Sequence, residues 1–185
     1  MSGDLVFGYA SLVALPGTTP ATLHGFRRVW GVAMDNAVAV PGYKVYELPD
    51  GTRPPCAVAF LDLAPAPGSS ADGALLPAGP ATLDALDARE RQYERVDVTA
   101  AVTPAAATGA RVWTYVGRAP GRARAAAGRS GAGAGAVVVI QRSYVELVER
   151  AFAALGEDAL ARYRASTEPP PFPVLELARV DLPSA

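Results

Sequence analysis

Leu5-Val6-Phe7-Gly8-Tyr9-Ala10-Ser11-Leu12 is an apolar and aromatic run that gives way to small residues, and Pro16-Gly17 follows it as a turn signal. That pattern predicts a buried strand ending in a loop. Consecutive small residues at a strand end allow backbone N–H groups to turn toward a bound anion, although the same pattern also occurs in turns that bind nothing.

Outward from this run, Thr22 to Asn36 mixes β-branched and aromatic residues with Arg27 and Arg28, and Val38 to Glu47 adds an extended stretch broken by Pro41-Gly42. Ala57 to Leu63 reads as a further strand, whereas Ala64 to Gly79, dominated by Ala, Pro, Gly and Ser, reads as a surface loop. Pro80 opens a helix on which Leu83, Leu86 and Glu90 fall three and four apart, hence on one face. Tyr93 to Val102 alternates as a half-buried strand does, and Arg111 to Val116 is another strand. Residues 117–135, rich in Gly, Ala and Arg, read as a flexible low-complexity loop. Its Gly131-Ala-Gly133-Ala-Gly135 run precedes an apolar stretch instead of opening a helix, the wrong context for a phosphate cradle.

Ser143-Tyr144-Val145-Glu146 fits a capping box, Leu147, Val148, Ala151, Phe152 and Leu155 continue an apolar helical face, and Gly156 ends it. A helix from Glu157 to about Ala165 and a closing strand from Val174 to Leu182 follow. Many short strands with a few helices, without regular alternation, predict one α+β domain spanning 1–185. Its expected form is a small mixed β-barrel or strongly curved sheet flanked by a few helices.

Half of the 185 residues are hydrophobic and 19% are charged, which excludes a disordered chain. A net charge of −1 gives no field that would draw phosphate backbones or anionic lipid, so neither nucleic acid nor membrane is an expected partner. The first residues lack the basic region and apolar stretch of a secretory signal, and a cytoplasmic location is expected. Cys56 is the only cysteine and reads as a buried small hydrophobe. His24 is the only histidine, so zinc sites and Cys-His couples lack their usual parts, and carboxylates are the expected acid-base groups.

Glu90 is the carboxylate that stands out, because it falls on the apolar side of its helix just before the strand at Tyr93. Desolvation there would raise its pKa and suit it to proton exchange near neutrality. The competing readings are an ion pair with Arg89, Arg91 or Arg95, or simple exposure at a helix end. Trp30, Trp113 and Tyr115 read as packing residues.

Val6-Phe7-Gly8-Tyr9-Ala10-Ser11-Leu12 resembles the Tyr-Gly-Ser-Leu signature loop of the γ-glutamylcyclotransferase superfamily, which includes ChaC-like, BtrG-like and AIG2-like proteins. Leu86-Asp87-Ala88-Arg89-Glu90 with Tyr93 is similar to the family's Leu-Asp-x-x-Glu segment, and Gly25-Phe26-Arg27-Arg28 resembles the strand between them. The resemblance implies a cyclotransferase that converts a γ-glutamyl amine or peptide to 5-oxoproline and the free amine, with no metal or organic cofactor. It implies Glu90 as the general acid/base and Tyr9, Ala10, Ser11 and Leu12 as the substrate-binding loop. Tyr93 and Tyr144 are the candidates for hydroxyls that orient Glu90 or the substrate. Ala10 stands where the family has Gly, which matters if the position needs a positive φ or close approach to the ligand. Arg27, Arg28 and the arginines at 118–129 are the candidates for meeting an anionic part of the substrate. The alternative is a non-catalytic module of the same fold that binds a small ligand.

Overall fold

A computed structural model describes residues 3–131 and 137–184. Its frame is a pair of long strands, β2 (Thr19–Asp35) and β4 (Ala57–Ala78), which run antiparallel along most of their length. β1 (Asp4–Gly8) pairs antiparallel with β4 and parallel with β7 (Val112–Gly117), which in turn pairs with β5 (Tyr93–Asp97). β6 (Val102–Thr103) lies on the other edge, beside β2, while β8 (Val138–Gln141) and β9 (Val174–Leu175) extend from β4 in parallel. The eight strands form one mixed sheet curled into a half-barrel. β3 (Lys44–Glu47) and β10 (Ala178–Asp181) form a separate antiparallel ribbon.

Four helices flank the sheet: α1 (Pro80–Arg89), α2 (Ala119–Ser130), α3 (Arg142–Ala154) and α4 (Glu157–Ser166). Phe7, Leu23, Trp30, Leu61, Val112 and Phe152 are among the buried side chains of the principal core. The expected α+β architecture, with a strongly curved mixed sheet and a few helices, is therefore the one adopted. Among the described residues no helix is long and apolar enough to cross a membrane.

Several local expectations are corrected. Residues 64–79 are not a surface loop, because β4 continues through them to Ala78. The Pro65 to Ser69 piece is where the β2–β4 register jumps from Phe26↔Pro65 to His24↔Ser70. Such an irregularity accommodates Pro and Gly that the regular ladder would reject. Beyond it a glycine is required where β1 presses directly on the strand: a Cβ on Gly73 would lie 2.2 Å from the Gly8 carbonyl oxygen.

Residues 117–135 are likewise not a loop over most of their length. Gly117 ends β7, and α2 occupies 119–130, starting with a Pro in its first turn and closing on Gly131 in the left-handed conformation. Alanine and arginine are strong helix formers. Gly121, Ala125 and Gly128, spaced four and three apart, let the helix approach closely, and a Cβ on Gly128 would meet Val138 Cγ2 at 2.2 Å. Residues 132–135 of the expected loop, with most of the Gly-Ala run, lie outside the described residues.

The capping box at Ser143–Glu146 does not form. α3 starts at Arg142 directly out of β8, with Gln141 at the N-cap and no side-chain cap, while the Gln141 amide donates to the Leu177 carbonyl at 2.8 Å. The extended stretch from Tyr93 stops at Asp97, and the closing strand divides into β9 and β10.

Three buried polar side chains hold these elements in place. Asn36 acts as a strand partner for Tyr46, donating to its carbonyl and accepting from its N–H, both at 2.8 Å, and so fixes β3. Asp62 accepts from the Gly117 N–H and Arg122 Nε, each at 2.7 Å, joining β4, β7 and α2. Arg28 is 1% exposed. Its guanidinium lies 5.1 Å from the Phe152 ring centroid and 4.8 Å from that of Tyr163, and it donates to the carbonyls of Tyr9 and Asp72 and to Thr167 Oγ1.

Arg28→Met is expected to lower stability by about 2–4 kcal/mol, because buried carbonyls lose a charged donor that a thioether cannot replace. Urea unfolding should report a lower midpoint at unchanged m value, and an unchanged midpoint would refute the assignment of Arg28 as a structural tie.

Candidate active site

An apolar contact brings the two sequence motifs together. Leu86 of α1 packs in one cluster with Leu12, Val6 and Tyr115, with Leu83 against its edge. Burial of side chains of this size contributes about 1.5–3 kcal/mol each, and it holds the end of α1 over the residues that follow β1. The predicted common face of Leu83, Leu86 and Glu90 is thus present, although the helix ends at Arg89 and Glu90 is its C-cap.

The Glu90 side chain is 17% exposed, and Arg89 Nε lies 3.2 Å from its Oε1. Burial pushes the Glu90 carboxyl above its usual range, against the opposing pull of Arg89, Lys44 and Arg179. Two of the sequence readings of this residue therefore hold at once: it is ion-paired with Arg89, and it is desolvated.

On the other side of the contact, β1 turns sharply into the short 3-10 helix Ser11–Ala14. A Cβ on Gly8 would stand 2.7 Å from Leu12 Cβ, so glycine is required for the chain to double back there. Ser11 and Leu12 begin this turn, and their N–H groups have no acceptor within it. Ala10 has φ −143°, so the methyl that replaces the family glycine meets no left-handed backbone strain. Arg28 Nε donates to the Tyr9 carbonyl at 2.8 Å and fixes the start of the loop.

A cavity of about 30 Å³ is lined by Tyr9, Ala10, Ser11, Leu12, Glu90, Tyr93 and Tyr144, together with Leu61 and Tyr115. Glu90, the four loop residues and the two candidate tyrosines thus meet in one place. Ser11, Glu90, Tyr93 and Tyr144 also line an adjoining cleft of about 230 Å³.

The hydroxyls of the tyrosines are not equivalent. Tyr93 donates to the Leu61 carbonyl at 2.8 Å and Tyr9 to the Tyr115 carbonyl at 2.8 Å, so both shape the wall and neither orients Glu90. Tyr144 accepts from the Leu61 N–H at 3.4 Å, an arrangement that leaves its own proton for another acceptor. Burial raises the Tyr144 phenol, so it stays a donor. The ring of Tyr144 is held edge-on by Phe60 at 5.1 Å and Trp30 at 6.1 Å. Trp30 is a packing residue as expected, whereas Tyr115 also joins the cavity wall and donates to Asp87 at 2.7 Å.

The arginines expected to meet an anion lie elsewhere. Arg28 is buried in the core, and Arg27, Arg122 and Arg129 line a different concavity of about 450 Å³, where Arg122 pairs with Asp62 and Arg129 with Glu168. The cations of the Glu90 cleft are instead Lys44, Arg89 and Arg179. Sequence reasoning missed Lys44 and Arg179, although one signal was available: Lys44 is the only lysine among 17 basic residues. Among the described residues no group of three or more His, Cys, Asp or Glu is arranged to hold a metal ion.

Because the folded state raises the Glu90 pKa, Glu90 favours folding most fully when protonated, below its unfolded value, and that contribution is lost as pH rises through the folded value. Glu90→Gln, which stays neutral, is therefore expected to melt above the wild type at pH 7, with the gap closing as the pH is lowered toward 4. Thermal melts across that range check it, and a variant less stable than wild type at pH 7 would contradict the desolvation reading.

The family model described as "Gamma-glutamyl cyclotransferase, AIG2-like" matches residues 31–131, a span that contains Glu90, Tyr93 and Lys44 but not the loop at 9–12. Among solved structures, the human protein described as uncharacterized protein loc79017 is 14% identical with a TM-score of 0.51, covering 90% of this chain and 88% of its own. YkqA from Bacillus subtilis is 14% identical with a TM-score of 0.52, and the match covers 88% of this chain but 53% of YkqA. A structure described as "Gamma-glutamyl cyclotransferase" is 13% identical, covers 90% of this chain and 88% of its own, and has a TM-score of 0.48. No curated protein gives a significant match. The family model covers more than half of the chain, and the protein belongs to the γ-glutamyl cyclotransferase, AIG2-like family.

Proposed function

We propose that the protein is a γ-glutamyl cyclotransferase, converting a γ-glutamyl amine or peptide to 5-oxoproline and the free amine with Glu90 as general acid and base. The observation that carries this reading is the position of Glu90, a desolvated carboxylate lining both the small cavity at the signature loop and the larger cleft beside it. The γ-glutamyl head group, too large for the small cavity alone, sits against the signature loop where that cavity and the cleft adjoin, and its departing amine points along the cleft.

The reaction is intramolecular, so holding the head group folded supplies much of the rate. Glu90 takes a proton from the α-ammonium. The freed amine attacks the γ-carbonyl carbon, and the carbonyl π electrons move onto oxygen. The Ser11 and Leu12 N–H groups and the Tyr144 hydroxyl are the donors for that oxyanion. As the carbonyl re-forms, the bond to the original nitrogen breaks, and Glu90 returns its proton to that nitrogen, which is too basic to leave as an anion; the ring nitrogen, which still carries two hydrogens after the attack, gives up the second through Glu90 to the departing amine, leaving the neutral lactam and an ammonium. The pKa raised by burial suits Glu90 to both directions of transfer.

Purified protein is expected to release 5-oxoproline from at least one compound of a panel of γ-glutamyl amines, amino acids and peptides, measured by mass spectrometry. Glu90→Gln should lower kcat by about 10²–10⁴-fold while the protein stays folded, and Tyr144→Phe should lower it by about 10²-fold with a smaller effect on KM. Equal turnover by Glu90→Gln and wild type would remove Glu90 from the mechanism. Tight ligand binding without any turnover would favour the non-catalytic module.

A further inference from the structure

Lys44 is the one lysine in a chain whose other basic side chains are arginines, and it opens β3 at the wall of the Glu90 cleft. In the β3–β10 ribbon Tyr46 stands opposite Arg179 and Lys44 opposite Asp181, which places all four on one face. Asn36 fixes that ribbon through its paired bonds to Tyr46. Lys44 Nζ lies 4.7 Å from the Phe60 ring centroid and 5.4 Å from that of Tyr43.

The cations of the cleft differ in how they are neutralised. Arg89 faces Glu90 at 3.2 Å, and Arg179 is paired with Asp181 at 2.6 Å. Lys44 makes no hydrogen bond or ion pair with any described residue, and its direct contacts are the faces of two aromatic rings. Lys44 is half-buried, and an anionic ligand in the cleft would give its ammonium the counter-charge that the protein does not place in contact with it. Desolvation, with the nearby charges of Arg179 and Arg89, pulls Lys44 down to about 8 against the opposing pull of Glu90 and Asp181. The group is still mostly protonated at neutral pH.

Position says which part of a ligand it meets. Lys44 and Arg179 line the larger cleft and not the small cavity at the signature loop, and Glu90 lies where the two adjoin. A head group seated against the signature loop, where the cavity and the cleft adjoin, leaves the Lys44 and Arg179 side of the cleft to the amine that Glu90 protonates. A γ-glutamyl alkylamine puts no charge there, whereas a γ-glutamyl amino acid or peptide brings a carboxylate.

We propose that Lys44 is the specificity-determining residue of the cleft, selecting γ-glutamyl compounds whose departing amine carries a carboxylate over those whose departing amine carries none. The inference rests on the cyclotransferase reading for its assignment of the two cavities.

A matched pair tests it: γ-glutamylalanine and γ-glutamylethylamide, which differ by that carboxylate alone. Wild type is expected to favour the dipeptide in kcat/KM, and Lys44→Met to lower kcat/KM for the dipeptide by about 10–100-fold with little change for the ethylamide, as loss of one charge-assisted contact predicts. Lys44→Arg should retain part of the preference. Equal losses on both substrates, or no preference in wild type, would overturn the proposal while leaving the cyclotransferase reading intact.

A readout independent of turnover separates the two failures. Reductive ¹³C-dimethylation labels Lys44 and the terminal amine, and the Lys44→Met protein identifies which resonance is which. With Glu90→Gln protein, γ-glutamylalanine should move the Lys44 titration midpoint upward and γ-glutamylethylamide should not. That shift without turnover by wild type would sink the cyclotransferase reading and keep Lys44 as a carboxylate-selecting contact. The absence of a dipeptide-specific shift would overturn the proposal on its own.

Discussion

The buried guanidinium of Arg28 is the constraint on which the arrangement depends. It leaves β2, lies against the stacked rings of Phe152 and Tyr163 on α3 and α4, and ends on the carbonyls of Tyr9 and Asp72. A desolvated charge of this kind is tolerable only when its donors are satisfied in fixed directions. One side chain thereby sets the distance between the sheet, the loop after β1 and the C-terminal helices. The loop carbonyl is held from behind, and the amides that follow it are free to face the cavity.

The same economy appears at Glu90. Nothing in α1 itself requires a carboxylate at its C-cap, and an exposed one there would be an ordinary solvated residue. Contact of Leu86 with Leu12 and Tyr115 changes its environment, because it draws the helix end against a loop and a ring of tyrosines. Desolvation follows from apolar packing elsewhere on the helix, and the raised pKa follows from desolvation. The raised pKa of this carboxyl is in this sense a by-product of how one short helix is seated.

Charge is distributed with similar effect. Arg122 and Arg129 are engaged with Asp62 and Glu168, and Arg118 Nε donates to the Tyr93 carbonyl at 2.7 Å, so much of the basic sequence around 118–129 fastens α2 and its neighbours. The cations left beside Glu90 come from three separate elements: β3, the end of α1 and β10. A planar, bidentate arginine suits the fastening role, and a compact ammonium on a flexible stem suits a contact that must yield to a ligand.

By itself the sequence determined the strand-and-loop at 5–12, the helix carrying Leu83 and Leu86, the helix through Phe152 and the general α+β character, because each has a hydrophobic period or a turn residue with a local cause. It also identified Tyr9, Ala10, Ser11, Leu12, Glu90, Tyr93 and Tyr144, which meet in one cavity. Tertiary structure alone decided that 64–78 continues a strand and that 119–130 is a helix, since stretches rich in small residues leave no periodic signal. It alone separated the hydroxyl of Tyr144 from those of Tyr9 and Tyr93, and gathered Lys44 and Arg179 at the cleft. Those outcomes depend on which strands pair and in what register, and cross-strand neighbours are set by long-range packing that no local stretch of sequence encodes.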